Sequence, residues 1–264
     1  MRLFVEGVGL LGPGLPGWQV GRGVLAGEER FSFAPTIVVA SDLLPAAERR
    51  RTPISVKLAL AVGQEAFQSS GRDAAQTATV FTSSSGEPDT LHQMCETLAS
   101  AEREVSPTRF HNSVHNAAAG YWSIATRSME ASTSLCAFDA SFGAGLIEAA
   151  TQIASRRSPV ALIAYDHPYP EPLHSARPLV ASFGVALVLA HERGAKASAM
   201  FELTFPPGEE KSTRLADSAL EELRLGSPAA RALPVLEALA RRKEADVVLE
   251  FPTGRRLRVK VSPC

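Results

Sequence analysis

Residues 132–165 constrain the fold more than any other stretch of this chain. Ser132 to Phe138 reads as a strand, Asp139-Ala140-Ser141 as a tight turn, and Phe142 to Arg156 as a helix rich in alanine and glycine. Val160 to Tyr165 follows as a strand-length run without a polar residue, which predicts a buried strand. A strand, turn, helix and strand in this order need a sheet with helices packed on it.

The rest of the chain repeats the theme. Leu3 to Val8 predicts a first strand, with a Gly/Pro-rich loop after it to Gly17 and a short helix from Trp18 to Ala26. Residues 36–40 (Thr-Ile-Val-Val-Ala) predict a buried strand. Thr52-Pro53 predicts a helix start, a hydroxyl cap followed by proline at the first helical position, and Gly71 stops that helix. Thr77 to Thr82 predicts a strand, and Pro88 to Ser100 and Ser113 to Arg127 predict helices. Ser182 to Ala190 predicts a strand, with Met200 to Phe205 as its partner. Residues 206–214 read as a loop or linker. A helix from Ser227-Pro228 to Lys243 and a hairpin follow. In the hairpin Val247, Leu249 and Phe251 alternate on one arm and Leu257, Val259 and Val261 on the other. The fold class is α/β.

Composition excludes several functions. The 264 residues are 45% hydrophobic and 21% charged, with a formal net charge of −1, so no global field favours nucleic acid or an anionic membrane. The longest apolar runs are strand-length, which predicts no membrane span. Glu6 interrupts the first apolar run, which predicts no secretory leader and a cytoplasmic protein. The three cysteines, Cys95, Cys136 and Cys264, make no disulfide framework and match no common zinc spacing. No metal or cofactor is expected.

Three motifs carry possible chemistry. Gly7-Val8-Gly9-Leu10-Leu11-Gly12 has the G-x-G-x-x-G spacing of dinucleotide sites, but Pro13, Gly14, Pro16 and Gly17 prevent the helix that must open directly after it, so a Gly-rich turn is expected. His111 and His115 stand four apart, a spacing that puts two metal ligands on one helical face, but no glutamate completes the H-E-x-x-H pattern; packing or a tunnel-lining role is expected. Ser141-x-Gly143 is half of a nucleophile elbow, with His167, His174 and His191 downstream as bases, but Asp139 replaces the first glycine. Cys136 falls within the apolar strand, where a free thiol is buried and inert.

The residues also resemble a family. Val5 to Gly14 is similar to the opening strand and loop of β-ketoacyl synthases, and Leu25-Ala26-Gly27 to the end of their first helix. Glu48 to Pro53 and Leu58 to Ala61 resemble the start of the next helix. Ser113-Val114-His115-Asn116-Ala117-Ala118-Ala119-Gly120 resembles the helix before the catalytic strand, and Ser134 to Gly143 that strand and its elbow. Val160 to Asp166 and Phe183 to Leu189 resemble later strands. Pro107 to Asn116 and Gly120 to Ile124 are similar to the short, chain-length-factor-type subunits of aryl polyene biosynthesis. The resemblance covers about residues 1–195 and implies the N-terminal half of a thiolase-like layered fold, over residues 1–205. Residues 206–264, a linker, a helix and a hairpin, are a tail completing the same domain.

The resemblance also says what to expect of the site. In condensing enzymes a cysteine caps the helix after the elbow strand, where the helix dipole lowers its pKa. Counting back from Ala161 to Ala164 puts that position at Ala140, whose methyl group carries no thioester. The family's C-terminal active-site histidines have no counterpart among residues 192–264, which contain no histidine. The expected function is a non-catalytic subunit pairing as a heterodimer with a complete β-ketoacyl synthase, with an acyl carrier protein as a further partner. Phe110, His111, Asn112, His115, Cys136 and Phe138 are the candidates for lining the acyl tunnel or the interface, and Arg49 to Arg51 and Arg255, Arg256 and Arg258 for touching an acidic carrier. The rivals are an independent enzyme using Ser141 or Cys136, and an acyl-binding homodimer.

Overall fold

A computed structural model describes residues 1–101, 103–208 and 210–264. Its elements run β1 (Arg2–Leu11), α1 (Trp18–Ala26), α2 (Ala46–Arg51), α3 (Ile54–Ser70), β2 (Ala78–Thr82), α4 (Pro88–Ala99), α5 (Pro107–Asn112), α6 (Ala117–Thr126) and β3 (Ser132–Leu135). Then come α7 (Ser141–Arg156), β4 (Val160–Asp166), α8 (Leu173–Ala176), β5 (Phe183–Ala190), β6 (Ala199–Thr204), α9 (Ser218–Gly226), α10 (Leu233–Arg241), β7 (Ala245–Glu250) and β8 (Arg256–Pro263).

The strands form one eight-stranded sheet in the order β3-β2-β4-β5-β1-β6-β8-β7. β3, β2 and β4 are parallel; every later pairing is antiparallel. β4 and β5 are buried at every residue because both faces of the sheet are covered. Leu162 and Ala164 of β4 point into one core with α7 and α10, while Ala161, Ile163 and Tyr165 point into the other with α3 and α6. Leu233, Val235 and Leu236 after residue 206, and Leu257 and Val259 of β8, belong to the first core. Each such fully buried aliphatic side chain contributes about 1.5–3 kcal/mol.

The Gly-x-Gly of the opening segment is not a turn, as the sequence suggested: Gly7 and Gly9 lie inside β1. A Cβ at Gly9 would stand 1.9 Å from the Val62 carbonyl oxygen, and one at Gly7 2.1 Å from that of Ala66. The glycines are there so that α3 lies directly against the strand. Glu65 of α3 accepts from the Leu10 N–H (2.8 Å) and the Trp18 N–H (2.6 Å). Its carboxylate thus occupies the start of α1, where a dinucleotide phosphate would otherwise bind. Burial pushes the Glu65 pKa up, against the lowering effect of these bonds.

Other expectations need correction. Residues 36–40 are no strand. Val38 packs on the second core and the Thr36 hydroxyl donates to the Ser182 carbonyl (2.7 Å), but Ile37 and Val39 face outward and pair with nothing. β6 pairs with β1 and β8, not β5, because β1 already fills that flank of β5. The Thr52 hydroxyl does not cap α3; it donates back to the Glu48 carbonyl (2.8 Å) at the end of α2. α9 was not foreseen, although Asp217 caps it by accepting from the Ala219 and Leu220 N–H groups. Within the expected 206–214 loop, Glu209 lies outside the described residues.

Candidate functional site

The turn between β3 and α7 is the place where this topology presents a side chain. β3 ends at Leu135, three residues earlier than the apolar run suggested. Cys136 follows it, and the thiol is exposed rather than buried in a strand. It donates to the Ser84 carbonyl at 3.4 Å. Phe138 to Ala140 make a single 3-10 turn, and Ala140 is the N-cap of α7. The cap site where a nucleophile would gain from the helix dipole therefore carries only a methyl group.

Ser141 fastens this turn. Its hydroxyl donates to the Phe138 carbonyl (2.7 Å) and accepts from the Ala137 N–H (3.0 Å). The residue is buried, and no histidine bonds to it. A serine with donor and acceptor both committed to backbone, and no base, is not an activated nucleophile. Phe138 has φ +53° and is 59% exposed; the Arg177 guanidinium carbon lies 3.4 Å from its ring centroid and Arg177 Nη2 lies 3.0 Å from Asp139 Oδ1.

Next to the turn lies the loop after β2. Asp166, at the end of β4 and fully buried, accepts from the Ser84 N–H (2.8 Å) and hydroxyl (2.7 Å), the Ser83 hydroxyl (3.3 Å) and the Ala229 N–H (2.8 Å). Burial pushes its pKa up to about 6, against these bonds. One carboxylate thereby joins the β2 loop to the short turn before α10. His115 Nε2 lies 3.1 Å from the Ser83 carbonyl oxygen, so His115 and Cys136 both rest on this loop.

The remaining candidates separate. His111 lies in the last turn of α5 and His115 between α5 and α6, so they do not share a helical face. Among the described residues no three His, Cys, Asp or Glu side chains gather as a metal site would need. The His111 ring meets Tyr121 edge-on, with centroids 5.9 Å apart. Asn112 is internal: it donates to the Arg51 carbonyl (3.0 Å) and accepts from the Tyr121 hydroxyl (3.0 Å). Phe110 is 63% exposed. Among the arginines offered to a carrier, Arg49 pairs with Asp42 and Arg258 with Glu210.

Sequence reading missed a cavity of about 440 Å³ between α3, α4 and α5. Asn112, Arg51, Arg109, Glu87, Asp89 and His167 line it. His167 Nδ1 lies 2.7 Å from the Ser182 hydroxyl and Nε2 lies 3.4 Å from Asp89 Oδ2. Ser182 is not among the residues that line the cavity, so it holds the imidazole from outside. His167 stands 15 residues from Ser182 and farther from Asp89, and no local motif announces the three.

Among the described residues no helix is long and apolar enough to cross a membrane. No curated protein matches the sequence. Solved structures do. A chain of the ketosynthase ApeO in complex with its chain length factor ApeC from Xenorhabdus doucetiae is 21% identical, with a TM-score of 0.74, covering 98% of this chain and 99% of that one. A chain of the AntDE:AntF complex, a type II PKS acyl-carrier protein with its ketosynthase, is 13% identical (TM-score 0.75, covering 100% and 99%). The ishigamide ketosynthase/chain length factor is 12% identical (TM-score 0.72, covering 100% and 99%). These likenesses establish the thiolase-like α/β fold. The family model for the beta-ketoacyl synthase N-terminal domain matches residues 28–248, and the chain belongs to that family.

Proposed function

We propose that the chain is a non-catalytic, chain-length-factor-type subunit that forms a heterodimer with a complete β-ketoacyl synthase in polyketide- or fatty-acid-type elongation, of the aryl polyene kind. One observation carries the reading: the strand–turn–helix elbow is built, but its cap position is Ala140, and it stands beside a strand that, among the described residues, pairs on one flank only. The partner supplies the nucleophile and performs condensation. This subunit bounds the tunnel in which the acyl chain lies, and the complex works in the cytoplasm on chains held by an acyl carrier protein. Residues 206–264 complete the same domain as residues 1–205.

Physical chemistry supports the pairing. β3 bonds to β2 on one flank and ends the sheet on the other. An open edge invites a further strand. Met129, just before β3, is 97% exposed; Ile124 on α6, Val114 before it, Phe110 and Phe138 are exposed too. Apolar residues concentrated around an open edge mark an interaction surface.

The three exposed cysteines make a footprinting set. In the isolated chain, iodoacetamide alkylates Cys95, Cys136 and Cys264. With a complete ketosynthase from the same gene neighbourhood, Cys136 is protected while Cys95 and Cys264 react as before. Unchanged labelling of all three in the mixture contradicts the pairing.

A further inference from the structure

Residues 36–40 have the side-chain pattern of a strand but no neighbouring strand. Thr36, Val38 and Ala40 are half-buried, while Ile37 and Val39 between them are 77% and 70% exposed. A period of two means extended backbone with one side on the protein and the other in solvent. The segment is fastened from beneath. The Thr36 hydroxyl donates to the Ser182 carbonyl (2.7 Å), Val38 packs on the second core, and the Ser41 hydroxyl donates to Gln64 Oε1 (3.1 Å). Yet among the described residues no backbone N–H or carbonyl from Pro35 to Ala40 bonds to another backbone group. Exposed edges of this kind are normally guarded by charge or proline. Here no charged residue occurs from Phe31 to Ser41, and no proline from Thr36 to Ala40.

The exposed apolar side chains of this stretch are placed symmetrically. Ile37 and Val39 stand one residue either side of Val38; Phe33 and Leu43, 56% and 43% exposed, stand five residues either side. We propose that this stretch is a docking edge for a second copy of the chain, laid antiparallel about a two-fold axis at Val38. Ile37 of one copy then lies opposite Val39 of the other, and Phe33 opposite Leu43. Cross-strand pairs of uncharged, β-branched and aromatic side chains are what stabilise such a contact. The pattern complements itself and offers no charge to select a different partner. The two-fold is also closed: each copy occupies the other's edge, so the product is a pair and not a fibre. Thr36 hangs on the residue before β5, and β5 stands three strands from β3, about 14 Å. The second copy and a ketosynthase at β3 therefore take different places, and the inference does not depend on the partner-subunit reading.

The test is light scattering and analytical ultracentrifugation of the full isolated chain over a dilution series. The wild-type chain is a dimer that dissociates reversibly. Ile37→Lys and Val39→Lys shift the monomer–dimer midpoint to about tenfold higher protein concentration or beyond, with the urea midpoint of unfolding unchanged. If either lysine variant does not fold, Ile37→Thr and Val39→Thr keep the branched shape and decide by the same shift. Register is read by covalent capture. In a chain carrying Cys95→Ser, Cys136→Ser and Cys264→Ser, the double substitution Ile37→Cys and Val39→Cys gives a disulfide-linked dimer on mild oxidation. A wild-type chain that is monomeric throughout overturns the inference. So does a dimer that none of these substitutions weakens, or one that the cysteine pair does not capture. Lysine variants that leave the isolated chain's mass unchanged but no longer bind a ketosynthase assign the edge to that partner, and overturn it as well. If the homodimer behaves as described and no ketosynthase complex forms, the partner reading falls and this inference stands.

Discussion

The two edges of the sheet are finished in opposite ways. At the β7 edge, the Thr213 N–H donates to the Val248 carbonyl (2.9 Å), and the Val248 N–H donates to the Thr213 hydroxyl (2.9 Å). Behind it, buried Arg224 pairs with Glu221 (2.8 Å) and Glu250 (3.2 Å), and Arg231 reaches the same Glu250 (3.1 Å). Arg224 holds the Glu221 carboxyl below the usual carboxylate range. At the β3 edge no such loop or ion cluster is found among the described residues; β3 is Ser132-Thr133-Ser134-Leu135, with exposed Met129 and Phe138 just before and after it. One edge of the sheet is thus closed by polar contacts, while the other is left without a neighbouring strand, and an unpaired edge is open to a further strand.

Substitutions at the two edges should therefore differ in kind. The largest effect on folding belongs to the sealed edge. Arg224→Ala leaves the Glu221 carboxylate without its guanidinium, while Glu250 keeps Arg231, and should cost about 3 kcal/mol in urea denaturation. A loss below 1 kcal/mol would mean that the cluster is ordinary surface pairing and that the contrast between the edges is weaker than drawn.

Asp166 sharpens the comparison, because it ties the β2 loop near the open edge to the turn before α10. Its pKa in the folded chain, about 6, lies above the free value of 3.8. Below about pH 4 both folded and unfolded chains hold the proton, and its burial carries no penalty. As pH rises from about 4 to 6 the unfolded chain gives up a proton that the folded chain retains, so stability falls, by about 3 kcal/mol in all, and levels off above pH 6. Asp166→Asn should remove that slope from the pH dependence of the unfolding free energy. A wild-type and a variant with parallel profiles would contradict the assignment.

Smaller effects follow. Thr213→Val removes the acceptor for the Val248 N–H and should cost about 1 kcal/mol in the same denaturation experiment. Met129→Ser, at the open edge, should change folding stability by less than about 0.5 kcal/mol. It should nonetheless weaken ketosynthase binding by about tenfold, some 1.4 kcal/mol, in a titration. A Met129 variant that unfolds but binds normally would reverse the roles given to the two edges.

Much of the body was legible because burial on both faces writes itself as unbroken apolar runs. β4 and β5 are such runs, and both were read correctly. The helix after the elbow was legible from the turn before it. Residues 36–40 misled because strand propensity records fitness for a pleated surface and not the presence of a neighbour. α9 carries its signal in Asp217 and in the Leu220, Leu223 spacing, but its charged surface hid it. At the site, Ala140 was placed correctly at the helix cap by counting from β4. The clamp on Phe138 was beyond reach, since Arg177 stands 38 residues from Asp139 and only the folded chain joins them. The alanine at the helix cap is thus legible in one residue, whereas the Arg177–Phe138–Asp139 cluster beside it is defined by tertiary contacts.

The most direct measurement is co-expression with a complete ketosynthase from the same gene neighbourhood, followed by size-exclusion chromatography with light scattering and a malonyl-carrier condensation assay. The account predicts a one-to-one complex that condenses only when both chains are present and that is indifferent to Cys136→Ala. A chain that stays apart from the ketosynthase, and that condenses or hydrolyses acyl thioesters alone, would contradict it.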